Sequence, residues 1–221
     1  YKLDKSTLSV MDKWILSKLN SAVKSVDECL GSYRITEATR ILEGFVDELS
    51  NWYVRRCRER FWVKEMTEDK INAYMTLYTA LVTIAKTAAP MIPFMAEEIY
   101  RNLVCSLDKT APESVHLCDF PEVKLSWIDK NLEDNMERVL NIVVLGRAAR
   151  NTANIKQRQP IGTMYVKSEE GELPAFFNEI IADELNVKNV AFTTDVRDFT
   201  SYTFKPQLKT LGKRFGSRLN A

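Results

Sequence analysis

The sequence predicts a mostly α protein, an antiparallel helical bundle followed by a small α+β unit. Apolar residues recur at helical spacing through most of the chain. Capping residues, glycine or proline separate these stretches with short turns, as an up-and-down bundle requires. Past Pro160 the pattern changes to short β-type runs around a single helix.

The elements follow in order. Ser9-Val10-Met11-Asp12 has capping-box spacing and precedes Trp14, Ile15, Leu19, Val23, Val26 and Leu30, with Gly31 as the stop. A second helix is expected from about Thr36 to about Lys64, carrying Ala38, Ile41, Leu42, Phe45, Leu49, Trp52 and Tyr53. Thr67, followed by Glu68 and Asp69, opens a third with Tyr74, Leu77, Tyr78, Leu81 and Ile84, and Pro90 stops it. Pro93 suits the first position of a fourth, which leads to Phe94, Ile99 and Leu103. Cys105 to Leu125, with Pro112 and Pro121, reads as a crossing loop.

Ser126-Trp127-Ile128-Asp129 reads as a second capping box. It opens a fifth long helix with Leu132, Met136, Val139, Leu140, Val143, Val144 and Ala148, which must end before Pro160. Strands are expected at Met164 to Val166, Asn189 to Thr193 and Tyr202 to Phe204. A helix is expected at Glu172 to Leu185, with Leu173, Phe176, Phe177, Ile180 and Ile181 on its apolar side. The expected domains are therefore a helical one over 1–158 and an α+β one over 159–221.

The chain has 221 residues, 45% hydrophobic and 28% charged, enough for a substantial core. Its formal net charge is only +1, so a nucleic-acid partner has to be argued from where charge collects. No apolar run is long enough to span a membrane and the opening YKLDKSTLSV lacks a signal-peptide pattern, so the expected location is the cytoplasm. Cys29, Cys57, Cys105 and Cys118 are far apart, and His116-x-Cys118 is the one hint of metal-ligand spacing. Free thiols without a metal or cofactor are the expectation.

Asn51 to Trp62 reads NWYVRRCRERFW and raises the main question of the chain. With Leu49 at zero and about 100° per residue, Ala38, Leu42, Phe45 and Tyr53 fall within about 40° of it and Trp52 about 60° away. These form the expected buried stripe. Asn51, Arg55, Arg58 and Trp62 fall on the opposite side, while Arg56 and Arg60 point back along the stripe. Charges there need acids from a neighbouring helix, or the stripe runs past the end of the core. Trp62 has two readings: packing under the turn to Thr67, or a ring offered to a nucleobase between phosphate-holding arginines.

Charge collects in two other places. LGRAARNTANIKQRQP (Leu145 to Pro160) has Arg147, Arg150, Lys156 and Arg158 as its only charges, suited either to phosphates or to the dipole at a helix end. KPQLKTLGKRFGSRL (Lys205 to Leu219) has five basic residues and no acid, but its GKR lacks phosphate-loop spacing. Between them lie Glu169, Glu170, Glu172, Glu179, Asp183 and Glu184. No catalytic set is evident: His116 has no nucleophile beside it, and Asp47 and Glu48 are helix neighbours that point apart.

ILEGFVDELSNWYVRRCRERFW resembles the anticodon-binding helical domain of class I aminoacyl-tRNA synthetases, in the branch that charges isoleucine, valine and leucine. MDKWILSKLN is similar to the opening helix of that domain, and LYTALVTIAKTAAPMIPFMAEEIY to its later helix pair. LGRAARNTANIKQRQPI resembles the isoleucyl-tRNA synthetase family of the eukaryote-like type, and ELNVKNV and KPQLKTLGKRFG resemble its small junction domain. The resemblance covers nearly the whole chain. It implies a C-terminal piece of a longer enzyme whose other domains use ATP and Mg to charge tRNA(Ile) and to edit. The HIGH-type and KMSKS-type signatures of that catalysis are not in this sequence, and KTLGK lies after the bundle instead of before it.

The implied role is tRNA binding by Asn51, Arg55, Arg58, Trp62, Arg147, Arg150, Lys156 and Arg158. Trp62 looks like the base-reading tryptophan of the related methionine enzyme, although its spacing from Asn51 is longer and Phe61 stands where that relative has proline. Implied partners are tRNA(Ile), the catalytic domain of the same polypeptide and other proteins of a synthetase complex, with no membrane and a monomeric state. The alternatives are a structural or protein-interaction module that braces the catalytic domain, or the same domain of a valyl- or leucyl-tRNA synthetase.

Overall fold

In the computed structural model, residues 3–195 and Arg197 are described. The expected strand at Tyr202 to Phe204 and the basic run from Lys205 onward lie outside them. The order is α1 (Val10–Gly31), α2 (Ile35–Glu48), a π-helical segment (Leu49–Val54), α3 (Arg58–Trp62), α4 (Glu68–Ala88), α5 (Pro93–Tyr100), a second π-helical segment (Arg101–Cys105), 3-10 turns at Val115–Leu117 and Leu125–Trp127, α6 (Lys130–Thr152), β1 (Ile161–Lys167), α7 (Ala175–Leu185) and β2 (Val187–Thr193). The mostly α class with a small α+β part is thus present. Two compact units divide between Glu137 and Arg138, inside α6.

In the first unit, α1 packs against α2 and α4. Its capping box is formed: the Ser9 hydroxyl accepts from the Asp12 amide at 3.2 Å, and the Asp12 carboxylate accepts from the Ser9 amide at 3.1 Å. Such caps contribute about 1 kcal/mol. Trp14, Ile15, Leu19, Val23 and Val26 are buried as the spacing predicts. Gly31 is the last residue of α1, but the left-handed residue after it is Tyr33, at φ 58. The N-caps expected at Thr67 and Pro93's first-turn position are both present.

Four expectations change. The buried face of α4 is not its large apolar residues but Asn72, Ala73, Thr76, Ala80, Thr87 and Ala88; Tyr74 is exposed. Small side chains let a neighbouring backbone approach closely, so this face packs by proximity instead of bulk. Phe94, expected on an apolar stripe, is 90% exposed. Ser126 does not cap α6; it lies in a 3-10 turn, and the Asp129 side chain accepts from the Leu132 amide at 3.0 Å. Trp52, expected in the core, is only half-buried. The π segment explains that: i→i+5 bonding turns the chain less per residue, which swings Trp52 off the stripe while Tyr53 stays on it.

In the second unit, β1 and β2 pair in parallel with Ile161 opposite Val187 and Lys167 opposite Thr193. A parallel pair needs a crossover, which α7 supplies. Asn186, left-handed at φ 50, ends α7 and starts the return strand. Leu173, Phe177, Ile180, Ile181 and Leu185 are buried. Gly146 of α6 lies directly against the Leu185 side chain, with no room for a Cβ.

Candidate nucleic-acid interface

The helical run through α2, the π segment and α3 ends in a group of arginines and aromatics. Arg60 lies in the buried direction, and its acids are present. It donates to both Asp12 carboxylate oxygens at 2.9 and 2.7 Å, and to both Asp69 oxygens at 2.8 Å. Asp12 is fully buried and also accepts from the Tyr53 hydroxyl at 2.6 Å. One guanidinium therefore ties α3 to the start of α1 and the start of α4. Burial pushes the Asp12 pKa up, but hydrogen bonds from Arg60, Tyr53 and Ser9 outweigh it and hold the carboxyl below its ordinary range. Burial and the Asp12 charge push the Tyr53 hydroxyl far above its ordinary value, so it stays a donor.

Phe61 closes the end of α3. Its ring meets Tyr53 edge-on at 6.5 Å and Tyr74 at 5.2 Å, and its carbonyl accepts from the Tyr74 hydroxyl at 3.3 Å. Trp62 therefore is not the residue packed beneath the turn: it is 68% exposed. The Arg58 guanidinium stands 4.2 Å from its ring centroid, a cation–π contact that steadies the ring. Val63 and Met66 are exposed just beyond it.

Asn51, Arg55 and Arg58 are exposed, as their helical angle predicts. The Asn51 amide donates to Asp47 at 2.5 Å, and Arg55 donates to the Asn51 carbonyl at 2.7 Å with its guanidinium 5.6 Å from the Trp52 ring. Asp47 and Glu48 diverge, the latter pairing with Lys18 at 3.0 Å. The structure thus brings Arg58 and Trp62 together and places Arg55 one turn back.

The second basic group divides. Arg147 is paired with Glu184 at 2.7 Å. Arg150 is 4% exposed, and its terminal NH2 group donates to the carbonyls of Lys156, Gln157 and Gln159. It is turned inward and is not a surface contact, a correction that follows from its position at the end of α6, where loop carbonyls fold back over it. Lys156 and Arg158 are exposed. Part of the acidic run is also spent internally, since Glu170 pairs with Arg138 at 3.1 Å. Sequence reasoning missed Asp12 and Asp69 as partners of Arg60; the signal was an arginine on a buried stripe, which demands a facing acid.

All four cysteines are free thiols, and among the described residues no cluster of His, Cys, Asp and Glu could hold a metal ion. Among the same residues, no helix is long and apolar enough to cross a membrane.

Residues 12–165 match the family model described as the anticodon-binding domain of tRNA ligase. The chain is 56% identical over 213 residues to an isoleucine–tRNA ligase of Clostridium novyi, covering 96% of this chain and 20% of that protein. An isoleucine–tRNA ligase of Chlamydia pneumoniae is 44% identical over 211 residues, covering 95% of this chain and 20% of the relative. One of Chlamydia caviae is 38% identical over 221 residues, covering 99% and 21%. The chain spans about one fifth of the length of these relatives.

Proposed function

This chain belongs to the anticodon-binding domain family of tRNA ligases, and from that premise we propose that it grips the anticodon stem-loop of tRNA(Ile) as part of an isoleucine–tRNA ligase. The observation that carries the reading is Trp62, a ring 68% exposed and steadied by Arg58. Covering an apolar surface of that size at a helix end is favourable in water. A nucleobase covers it well, because the ring offers a π-face and the arginines beside it offer charge to the phosphates. Asn51 and Arg55 extend the contact along the exposed helix side, and Lys156 and Arg158 hold backbone phosphates elsewhere on the chain.

The remaining length of the relatives carries the chemistry in this proposal: ATP- and Mg-dependent aminoacylation of tRNA(Ile), and editing. Those steps take place in the cytoplasm within a monomer in which this chain adjoins the catalytic domain. The residues described here contribute binding and orientation of the tRNA, with no catalytic role.

A mobility-shift assay tests the reading with the 221-residue chain and tRNA(Ile) transcript at low salt. A retarded complex that weakens steeply as salt rises is expected, because phosphate contacts release counterions. Absence of a complex at low salt would favour a bracing module instead.

A further inference from the structure

The end of α6 and the loop after it show how an apparently surplus arginine is used. Arg150 is buried, and no carboxylate touches it among the described residues. Its NH2 group collects the carbonyls of Lys156, at 2.9 Å, Gln157, at 3.2 Å, and Gln159, while among the described residues Nε and NH1 have no partner. A guanidinium without a counter-ion leaves its positive charge beneath the loop, in surroundings where water screens it poorly.

Pulling those carbonyls inward has a consequence for the amides. In a trans peptide the carbonyl and the next amide point in opposite directions, and no cis peptide occurs here. With the carbonyls of Lys156 and Gln157 turned towards Arg150, the amides of Gln157 and Arg158 are turned away from it. Among the described residues neither amide has an acceptor, whereas the Gln159 amide bonds the Lys156 carbonyl at 2.9 Å. Both residues are exposed, as is Lys156. The Gln157 side chain also ties the loop down, donating to the Glu184 carbonyl at 2.7 Å. Successive outward amides of this kind form an anion-binding concavity.

We propose that the loop from Asn154 to Gln159 is a phosphate cradle: the amides of Gln157 and Arg158 and the side chains of Lys156 and Arg158 receive a backbone phosphate of the bound tRNA, and Arg150 is the positioning residue that shapes them. The tRNA source rests on the function proposed above; the cradle itself does not. Arg150 touches no phosphate. Its part is to withdraw the carbonyls that would repel one and to add a fixed charge behind the loop. Arg147, neutralised by Glu184, takes no part.

Amide NMR spectra of the 221-residue chain test this, with two probes titrated separately: inorganic phosphate and an anticodon stem-loop RNA. The amide protons of Gln157 and Arg158 are expected to move downfield and saturate with both. Lys156→Gln combined with Arg158→Gln should weaken the response several-fold, and Arg150→Met should abolish the two amide shifts while the Trp62 indole signal still responds to RNA. The double variant alters only exposed side chains, so it serves even where Arg150→Met does not fold. Unmoved amides with both probes, or full shifts in Arg150→Met, would overturn the cradle. A Trp62 response to RNA in that case leaves the function standing. Amide shifts with phosphate alone, and no RNA response anywhere, keep the cradle and overturn the function.

Discussion

Arg60 and Trp62 are near neighbours in sequence with opposite fates. Arg60 joins Asp12, Asp69 and Cys57, whereas Trp62 meets solvent. Removing one member of a largely buried ion pair strands the other, which costs about 3 kcal/mol. Arg60→Met should therefore lower unfolding stability by about that much in urea titrations. Asp12 adds a pH dependence. Its folded pKa is depressed, so its stabilisation is complete above the unfolded carboxylate value of about 4 and is lost as pH falls through the folded value. Urea midpoints should fall below pH 4, and Asp12→Asn should flatten that fall while lowering stability near neutrality. Trp62→Ala should behave differently: an exposed ring carries little stability, within about 0.5 kcal/mol, but its loss should weaken RNA binding by about 1–3 kcal/mol. A variant that unfolds without losing affinity per folded molecule would contradict that division.

At the scale of elements, the regular signals were legible in the sequence. Ser9, Thr67 and Pro93 start helices where their chemistry predicts, and α7 and both described strands lie where periodicity put them. What escaped depended on geometry that spacing does not encode. A π segment at Leu49–Val54 alters the angle per residue, so an α-helical projection placed Trp52 in the core and still placed Trp62 outside. The burial of small residues on α4 has no apolar period to detect, since Asn72, Thr76 and Thr87 are polar. Arg150 read as a surface cation because nothing in its spacing shows that Lys156, Gln157 and Gln159 turn their carbonyls onto it. Gly146 is the small residue with the clearest reason: a side chain there would collide with Leu185. Gly146→Val should destabilise the second unit by about 1–3 kcal/mol, read as earlier loss of amide protection in α7 than in α1.

For the whole molecule, a net charge of +1 means that affinity for an RNA has to come from local arrangement. Several cations are committed internally: Lys18 to Glu48, Arg60 to Asp12 and Asp69, Arg138 to Glu170 and Arg147 to Glu184. Among the exposed cations, Arg55, Arg58, Lys156 and Arg158 belong to the proposed interface. Each phosphate contact adds about 0.7–0.9 to the slope of log affinity against log salt, so neutralising Lys156 and Arg158 together, which share one phosphate, should reduce that slope by about 0.7–0.9. Neutralising Arg147 should change it little. The proposed recognition of an anticodon loop depends on Trp62. Fluorescence anisotropy with the anticodon stem-loop of tRNA(Ile) and an anticodon-swapped loop, each against the unaltered chain and Trp62→Ala, tests it most directly. Tighter binding of the cognate loop is expected, with Trp62→Ala costing the cognate loop more than the swapped one. Equal affinity for both loops, unchanged by Trp62→Ala, would contradict the claim.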